Sequence, residues 1–305
     1  MSSFVVVENR VPPFAALAVA VVAISTSAIL VEWSRAPSLV KALYRVVFTV
    51  AALMPVALAR PSDRAGFRQL RRRDTLLAVL AGVALAIHFA SWFESLRWTS
   101  VAASVTLVQA QPLFVALGAW ALLDERVTPR MVAGIGVALV GMAVMSGGDV
   151  VLGTASLAGE RPLFGNALAV LGAVTAASYV LAGRSLRQRL PLLPYVLVVY
   201  ASCAVALFAA TLASGHPLFD YPVREWLLFL GMAAGPGIFG HTVINWALAH
   251  VESSVVSVSL LGEPVGSTLL AVVLLSEYPT PVTLVGGAIV LGGVYVTAAA
   301  RARGT

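Results

Sequence analysis

Apolar residues along this chain do not alternate with polar ones. They run for about 20 positions at a time and stop at short clusters rich in arginine, proline and glycine. A helix rising about 1.5 Å per residue needs a run of that length to cross a hydrocarbon core roughly 30 Å thick. The pattern predicts ten such helices, at about 12–31, 38–59, 75–96, 100–122, 129–147, 163–184, 192–213, 225–247, 252–275 and 280–300. The lack of period-2 alternation and the modest number of aromatic residues argue against a membrane β-barrel. The first run, Pro13 to Val31, is longer than a signal-peptide core and is followed by no small-x-small cleavage site, so it reads as a retained helix. The expected fold class is an all-α integral membrane protein.

Most connections are short. The longest, Ser146 to Pro162, is rich in glycine and serine and divides the spans five and five. The organisation expected is a five-helix unit at 1–147, a linker at 148–162 and a second five-helix unit at 163–305. An internal repeat supports it. Displaced by 152 residues, Pro112 falls on Pro264, Leu122 on Leu274, Glu125 on Glu277 and Pro129 on Pro281, with Gly134 on Gly286 and Gly141 on Gly293. Chance hydrophobic similarity would not hold two prolines, a glutamate and two glycines in one register. Each half has an odd number of spans, so the second must lie inverted relative to the first. Inverted-topology repeats are the architecture of secondary transporters, with the site near the midplane between the halves.

Composition agrees with the bilayer reading: 59% apolar, 11% charged, mean hydropathy +0.92. The net charge of +6 reads as topology rather than nucleic-acid binding. Its densest block, Arg60, Arg64, Arg68, Arg71, Arg72 and Arg73, is a short loop between two spans. With the N-terminus in the cytoplasm, 14 basic residues fall inside and 5 in or beside outside connections, Arg45 remaining within a span. The positive-inside rule therefore puts both termini in the cytoplasm of a plasma-membrane protein. The single cysteine, Cys203, cannot form an intramolecular disulfide, and no histidine or cysteine near it in sequence suggests a metal.

The stretches HFASWFESLRWTSVAASVTLVQAQPLFVALGAWALLDER and GHTVINWALAHVESSVVSVSLLGEPVGSTLLAVVLLSE, with the glycine-rich helix after each, resemble the drug/metabolite transporter superfamily. The likeness is to its ten-helix, EamA-type members and covers both halves. It implies transport of a small metabolite such as an amino acid or a drug, often export, and leaves the cargo open.

Chemistry at depth centres on Glu263. A carboxylate inside a membrane run must pair, protonate or face a water-filled cavity. Placed near the middle of a helix running from Glu252 to Leu275, it is expected to bind cargo or a coupling proton, against a structural hydrogen bond as the plain alternative. Pro264 beside it cannot close the helical bond to Leu260, which predicts a break, as does Pro112 in the other half. Gln111 is the repeat mate of Glu263. Gln109 lies two positions, about 200°, away from it, so the two are expected on different faces, with Gln111 at the cavity. Lys41 and Arg45 share a helix face, and Lys41 near the outer end is expected to snorkel. Arg45, deeper, either grips a substrate carboxylate in a fork or neutralises Glu94 or Glu32. His88 and Trp92 form one stripe with Ser95. His241 and Asn245 share a face below a Gly/Pro-rich interruption at Pro236, with interhelical bonding as the alternative. Glu125 and Glu277 read as helix-end contacts.

No Walker loop accompanies the single lysine, which excludes an ATP-driven pump. No filter-like repeat suggests a channel. A membrane-embedded enzyme is the remaining rival, without HExxH, GxSxG or an aspartate cluster to support it. The sequence thus predicts a secondary carrier, working as a monomer or loose homodimer, with protons as the candidate coupling ion and no cofactor or metal.

Overall fold

In the computed structural model the described residues are 12–123, 128–152, 159–187, 189–247, 259–260 and 262–302, and they form helices and connections with no strand. In order they are α1 (Pro13–Trp33), α2 (Ser38–Ala59), α3 (Pro61–Arg68), α4 (Arg72–Ser95), α5 (Val101–Val108), α6 (Gln111–Leu123), α7 (Pro129–Val151), α8 (Pro162–Arg187) and α9 (Leu192–Ala213). There follow α10 (Val223–Met232), a π-helical segment (Ala233–Thr242), α11 (Val243–Ala247), α12 (Gly262–Leu275) and α13 (Pro281–Ala302). Among the described residues six rods are long and apolar enough to cross a membrane: α1, α2, α4, α8, α9 and the continuous Val223–Ala247. Shorter apolar helices stand at Val101–Val115, Pro129–Val144, Gly262–Leu275 and Pro281–Thr297. Glu125, Arg126, Glu252, Arg10 and Arg303, which the sequence reading used, lie outside the described residues.

The packing has an internal symmetry. α4 packs on α8 as the π segment packs on α1, α4 on α9 as the π segment on α2, and α5 and α6 on α8 as α12 on α1. Two pairs join repeat mates directly, α2 with α9 and α7 with α13, and α5 of the fourth span meets α12 of the ninth. The α7–α13 pair is the tightest, and its cause is glycine. A Cβ on Gly134 would stand 2.8 Å from the carbonyl oxygen of Gly293, and one on Gly141 would stand 2.9 Å from that of Gly286. Gly134 therefore meets the mate of Gly141, and Gly141 the mate of Gly134. Such a crossing is self-complementary, as at a two-fold axis. It also runs antiparallel.

The helix break expected at Pro112 is present, and other expectations about local structure change. The fourth span is not one helix: α5 ends at Val108 and α6 begins at Gln111, with Gln109 and Ala110 in a turn between them. The cause is Pro112, which occupies the second position of α6, where a missing N–H costs no intrahelical bond. Glu263 stands in the first turn of α12, with Pro264 next to it. Residues 248–258 and 261, the upstream part of that predicted span, lie outside the described residues. Pro236 does not break its helix. It widens it into the ten-residue π segment, where Gly235, Gly237 and Gly240 relieve side-chain crowding and α1 and α2 approach closely. Finally, the arginine-rich connection folds its first part into α3, and α7 continues to Val151, four residues into the predicted linker.

The two ends of the bundle are tied differently. At the arginine-rich end, Arg189 Nη2 pairs with Asp74 Oδ1 at 2.9 Å, and Gly66 of α3 seats against Pro191 and Pro194. At the opposite end, Val101 N donates to Glu277 Oε1 at 2.7 Å, Arg161 N to the Trp98 carbonyl at 3.1 Å, and Ser34 Oγ to Glu225.

Candidate functional site

The helix ends and the widened π segment leave a void inside the bundle. It is a cavity of about 80 Å³, walled by α1, α4, the α5–α6 turn, α8, the first turn of α9, the π segment with α11, and the start of α12. Six residues singled out in the sequence line it together: His88, Trp92, Gln111, His241, Asn245 and Glu263. They come from both halves of the chain. The cavity reaches Gly183 and Tyr195, close to the turn that carries Arg189, so it lies toward the arginine-rich end.

Glu263 is 5% exposed, and Gln109 Nε2 donates a hydrogen bond to its Oε2. This corrects the expectation that Gln111 alone would serve the cavity. Gln109 and Gln111 both line it, because the turn at Gln109–Ala110 abolishes the helical angle that would have separated them. The signal in the sequence was Pro112 itself. It marks a break, and residues on either side of a break obey no single helical wheel.

His88 Nδ1 donates to the Gly172 carbonyl at 2.9 Å, which leaves Nε2 as an acceptor on the neutral ring. Its ring stacks on Trp92 with centroids 5.9 Å apart. Asn245 Nδ2 donates to the Tyr179 hydroxyl at 2.9 Å and to the His241 carbonyl at 2.8 Å, which orients its amide oxygen away from both. Tyr179 and Tyr195, from α8 and α9, complete the polar lining. Sequence reading passed over both, since a tyrosine within an apolar span carries no pattern that separates lining from packing. Three buried polar atoms of these lining residues have no partner among the described residues: Trp92 Nε1, Gln109 Oε1 and the Tyr195 hydroxyl. Buried polar groups are nearly always satisfied, so unpaired atoms on a cavity wall are capacity for a polar guest.

Arg45 is not in this cavity. Nη1 donates to Ser27 Oγ at 2.9 Å, and the guanidinium carbon lies 4.4 Å from the Phe89 ring centroid. Nη2 has no partner among the described residues; a void of about 10 Å³ beside the side chain is shared with Thr49, Tyr200 and His241. Arg45 therefore stands one layer behind His241, which faces both voids. It does not neutralise Glu94, whose oxygens take Ser38 Oγ at 2.7 Å, Trp98 Nε1 at 2.9 Å and Arg97 Nη1 at 3.2 Å. Lys41 does not snorkel into solvent; it is 4% exposed, and Nζ donates to the Val31 carbonyl at 2.8 Å. Outside the spans, Glu277 is held above the ordinary carboxylate range by burial, partly offset by the bond from Val101 N–H. Among the described residues no three histidine, cysteine, aspartate or glutamate side chains group as metal ligands.

A helical bundle of apolar rods around an interior polar cavity, with helices broken at its wall, defines a multi-pass membrane transporter. The comparisons with known proteins give the family. The model of the EamA-like transporter family matches residues 12–147 and again 163–299, and the chain belongs to that family. A protein of Streptantibioticus cattleyicolor described as a probable terminal-alkyne amino-acid exporter is 30% identical over 258 residues, 78% of each chain. An uncharacterized transporter of Archaeoglobus fulgidus is 26% identical over 226 residues, 73% of this chain and 75% of that one. A crystal structure matches with a TM-score of 0.63 at 22% identity, over 93% of this chain and 96% of that one, and so shares the fold.

Proposed function

We propose that this protein is a secondary carrier that exports a small amino-acid-like metabolite across the cell membrane by alternating access. On this reading the chain makes ten spans in two inverted five-helix repeats, bounded at 1–147 and 163–305. The antiparallel, self-complementary crossing of α7 and α13 and the mirrored packing of the halves support the inversion. Both termini and the arginine-rich loop are cytoplasmic, by the distribution of basic residues. The cavity then opens on the cytoplasmic side, and the bonds from Val101 N to Glu277 and from Ser34 to Glu225 close the outer end. Cargo enters where the unpaired Trp92, Gln109 and Tyr195 atoms receive it.

One observation carries the reading: the acidic Glu263, at a helix start from the second half, bonds to Gln109 at a helix end from the first. A group that joins the halves in one state must change its surroundings when they rock, which is what coupling a proton to cargo requires. Amino-acid cargo is favoured by the relative named for amino-acid export and by the paired acceptors and donors of the cavity. The carrier works as a monomer or loose homodimer.

The test is flux into proteoliposomes for amino acids, nucleosides and cationic drugs, with and without an imposed pH gradient. The expected result is amino-acid flux that follows the gradient and falls with Asn245→Ala. Absence of carrier-mediated flux for every class would overturn the proposal. Orientation has its own check. Single cysteines at 62 and 160 in a Cys203→Ser background should be shielded and labelled, respectively, by an impermeant thiol reagent on intact cells, and the reverse would invert the topology.

A further inference from the structure

A second void of the described structure is larger than the central cavity. A groove of about 610 Å³ opens at the end opposite the arginine-rich loop, between the α1–α2 turn, α4, α8 and the α9–α10 loop. Its charged lining is Glu32, Arg35, Lys41, Glu94 and Arg97, with His216 at the rim. Most of these are committed elsewhere or exposed: Glu94 is saturated by Ser38, Trp98 and Arg97, and the side chain of Arg97 is 56% exposed. Two are not. Glu32 makes no hydrogen bond or ion pair with any described residue, although Lys41 is the opposite charge acting most strongly on it. Lys41 uses one of its three donors, on the Val31 carbonyl, and is otherwise buried. A partly buried carboxylate and a buried ammonium that face one groove without touching leave charge that water alone solvates poorly.

We infer that this groove is a second binding site, specific for the head group of an α-amino acid, with Glu32 receiving its ammonium and Lys41 its carboxylate. A zwitterion carries both charges on one carbon, so it bridges a gap between acid and base that the side chains do not close themselves. Arg35 and Arg97 add positive potential at the mouth, which draws the carboxylate inward. Glu94 is held away from the ligand by its own bonds. Ala36, Pro37, Leu39, Ala90 and Leu168 also line the groove, so apolar surface is available to the side chain of the ligand beside the charges that read its head group. The site lies on the release side of the proposed carrier, and its cargo class rests on that reading. Glu277 and Glu225, the outer-end latches, stand near the same charges. Occupancy of the groove is therefore placed to influence opening of that end.

The experiment is equilibrium binding of radiolabelled L-norvaline to the full-length protein in lipid nanodiscs, with no gradient and no flux. N-acetyl-L-norvaline, which lacks the ammonium, and norvaline methyl ester, which lacks the carboxylate, serve as competitors on the Asn245→Ala/Glu263→Gln protein, in which the central cavity is disabled. The expected result has three parts. An Asn245→Ala/Glu263→Gln protein still binds norvaline, Glu32→Gln and Lys41→Met each weaken that binding at least tenfold, and both analogues compete poorly. The analogue arm holds even where Glu32→Gln or Lys41→Met fails to fold. Competition by either analogue equal to that of norvaline, unchanged binding in both variants, or no binding in the central-cavity double variant would overturn the inference. Absence of carrier-mediated flux for every class would sink the carrier reading and leave this binding result intact, so the two fail separately.

Discussion

The α7–α13 crossing and the central cavity are built at the same kind of place, where repeat mates or neighbours from the two halves meet, and they come out opposite. At the crossing, Gly134, Gly141, Gly286 and Gly293 remove side chains so that backbones touch, and the contact is self-complementary. At the cavity, prolines and glycines are spent on helix ends and a widened turn, which keeps backbones apart and leaves polar atoms unpaired. Tight packing resists change because interiors are as dense as crystals. An under-filled, polar junction can be repacked. The comparison divides the molecule into a tightly packed seam and a loosely filled site.

The seam half of that comparison carries the largest expected effect. Gly293→Val would drive a branched side chain into the backbone of α7 at Gly134 and Ala138. We expect a loss of about 3 kcal/mol, enough to abolish folded protein, measured as the monodisperse fraction and unfolding midpoint in detergent. Wild-type behaviour would mean that the crossing is not tight. Second in size, Gln109→Leu removes the donor to Glu263 and leaves the carboxylate facing an apolar wall. A loss of about 2 kcal/mol is expected in thermal stability. Unchanged stability would count against the pair.

Smaller again, Tyr179→Phe deletes the acceptor of Asn245 while keeping the ring. It should weaken cargo binding about fivefold, on the order of 1 kcal/mol, with little change in folding; a change in folding alone would make Tyr179 a packing residue. The smallest effect concerns the latch. Burial raises the pKa of Glu277, so its ionisation costs more in the folded than in the unfolded chain. Wild-type stability from this group is therefore greatest at low pH and declines as pH rises through the raised value. Glu277→Gln does not titrate, so its stability relative to wild type should climb between acid and neutral pH. A flat difference would show that Glu277 is not desolvated.

Apolar run length and the 152-residue register made the helices and the glycine crossing legible, because both are properties of pattern. Six cavity residues were legible for a related reason: a polar group in an apolar run has few places to go. Three things were hidden. The geometry of Gln109 depended on where the chain would break, and Pro112 reveals that a break exists but not which residues flank it usefully. The placement of Arg45 behind Phe89 and His241 depended on which aromatic faces it, a contact between α2 and α4 that spacing within one helix does not encode. The π segment came from glycines and Pro236 that equally permit a kink.

The central claim is that Glu263, bonded across the halves to Gln109, couples protons to cargo. Glu263→Gln keeps the shape and hydrogen-bonding capacity of the side chain and removes its titration. In proteoliposomes, cargo accumulation driven by a pH gradient should fall to the level of protein-free vesicles, while cargo exchange without a gradient should continue at a measurable rate. Gradient-driven accumulation by Glu263→Gln equal to that of the wild type would contradict the account.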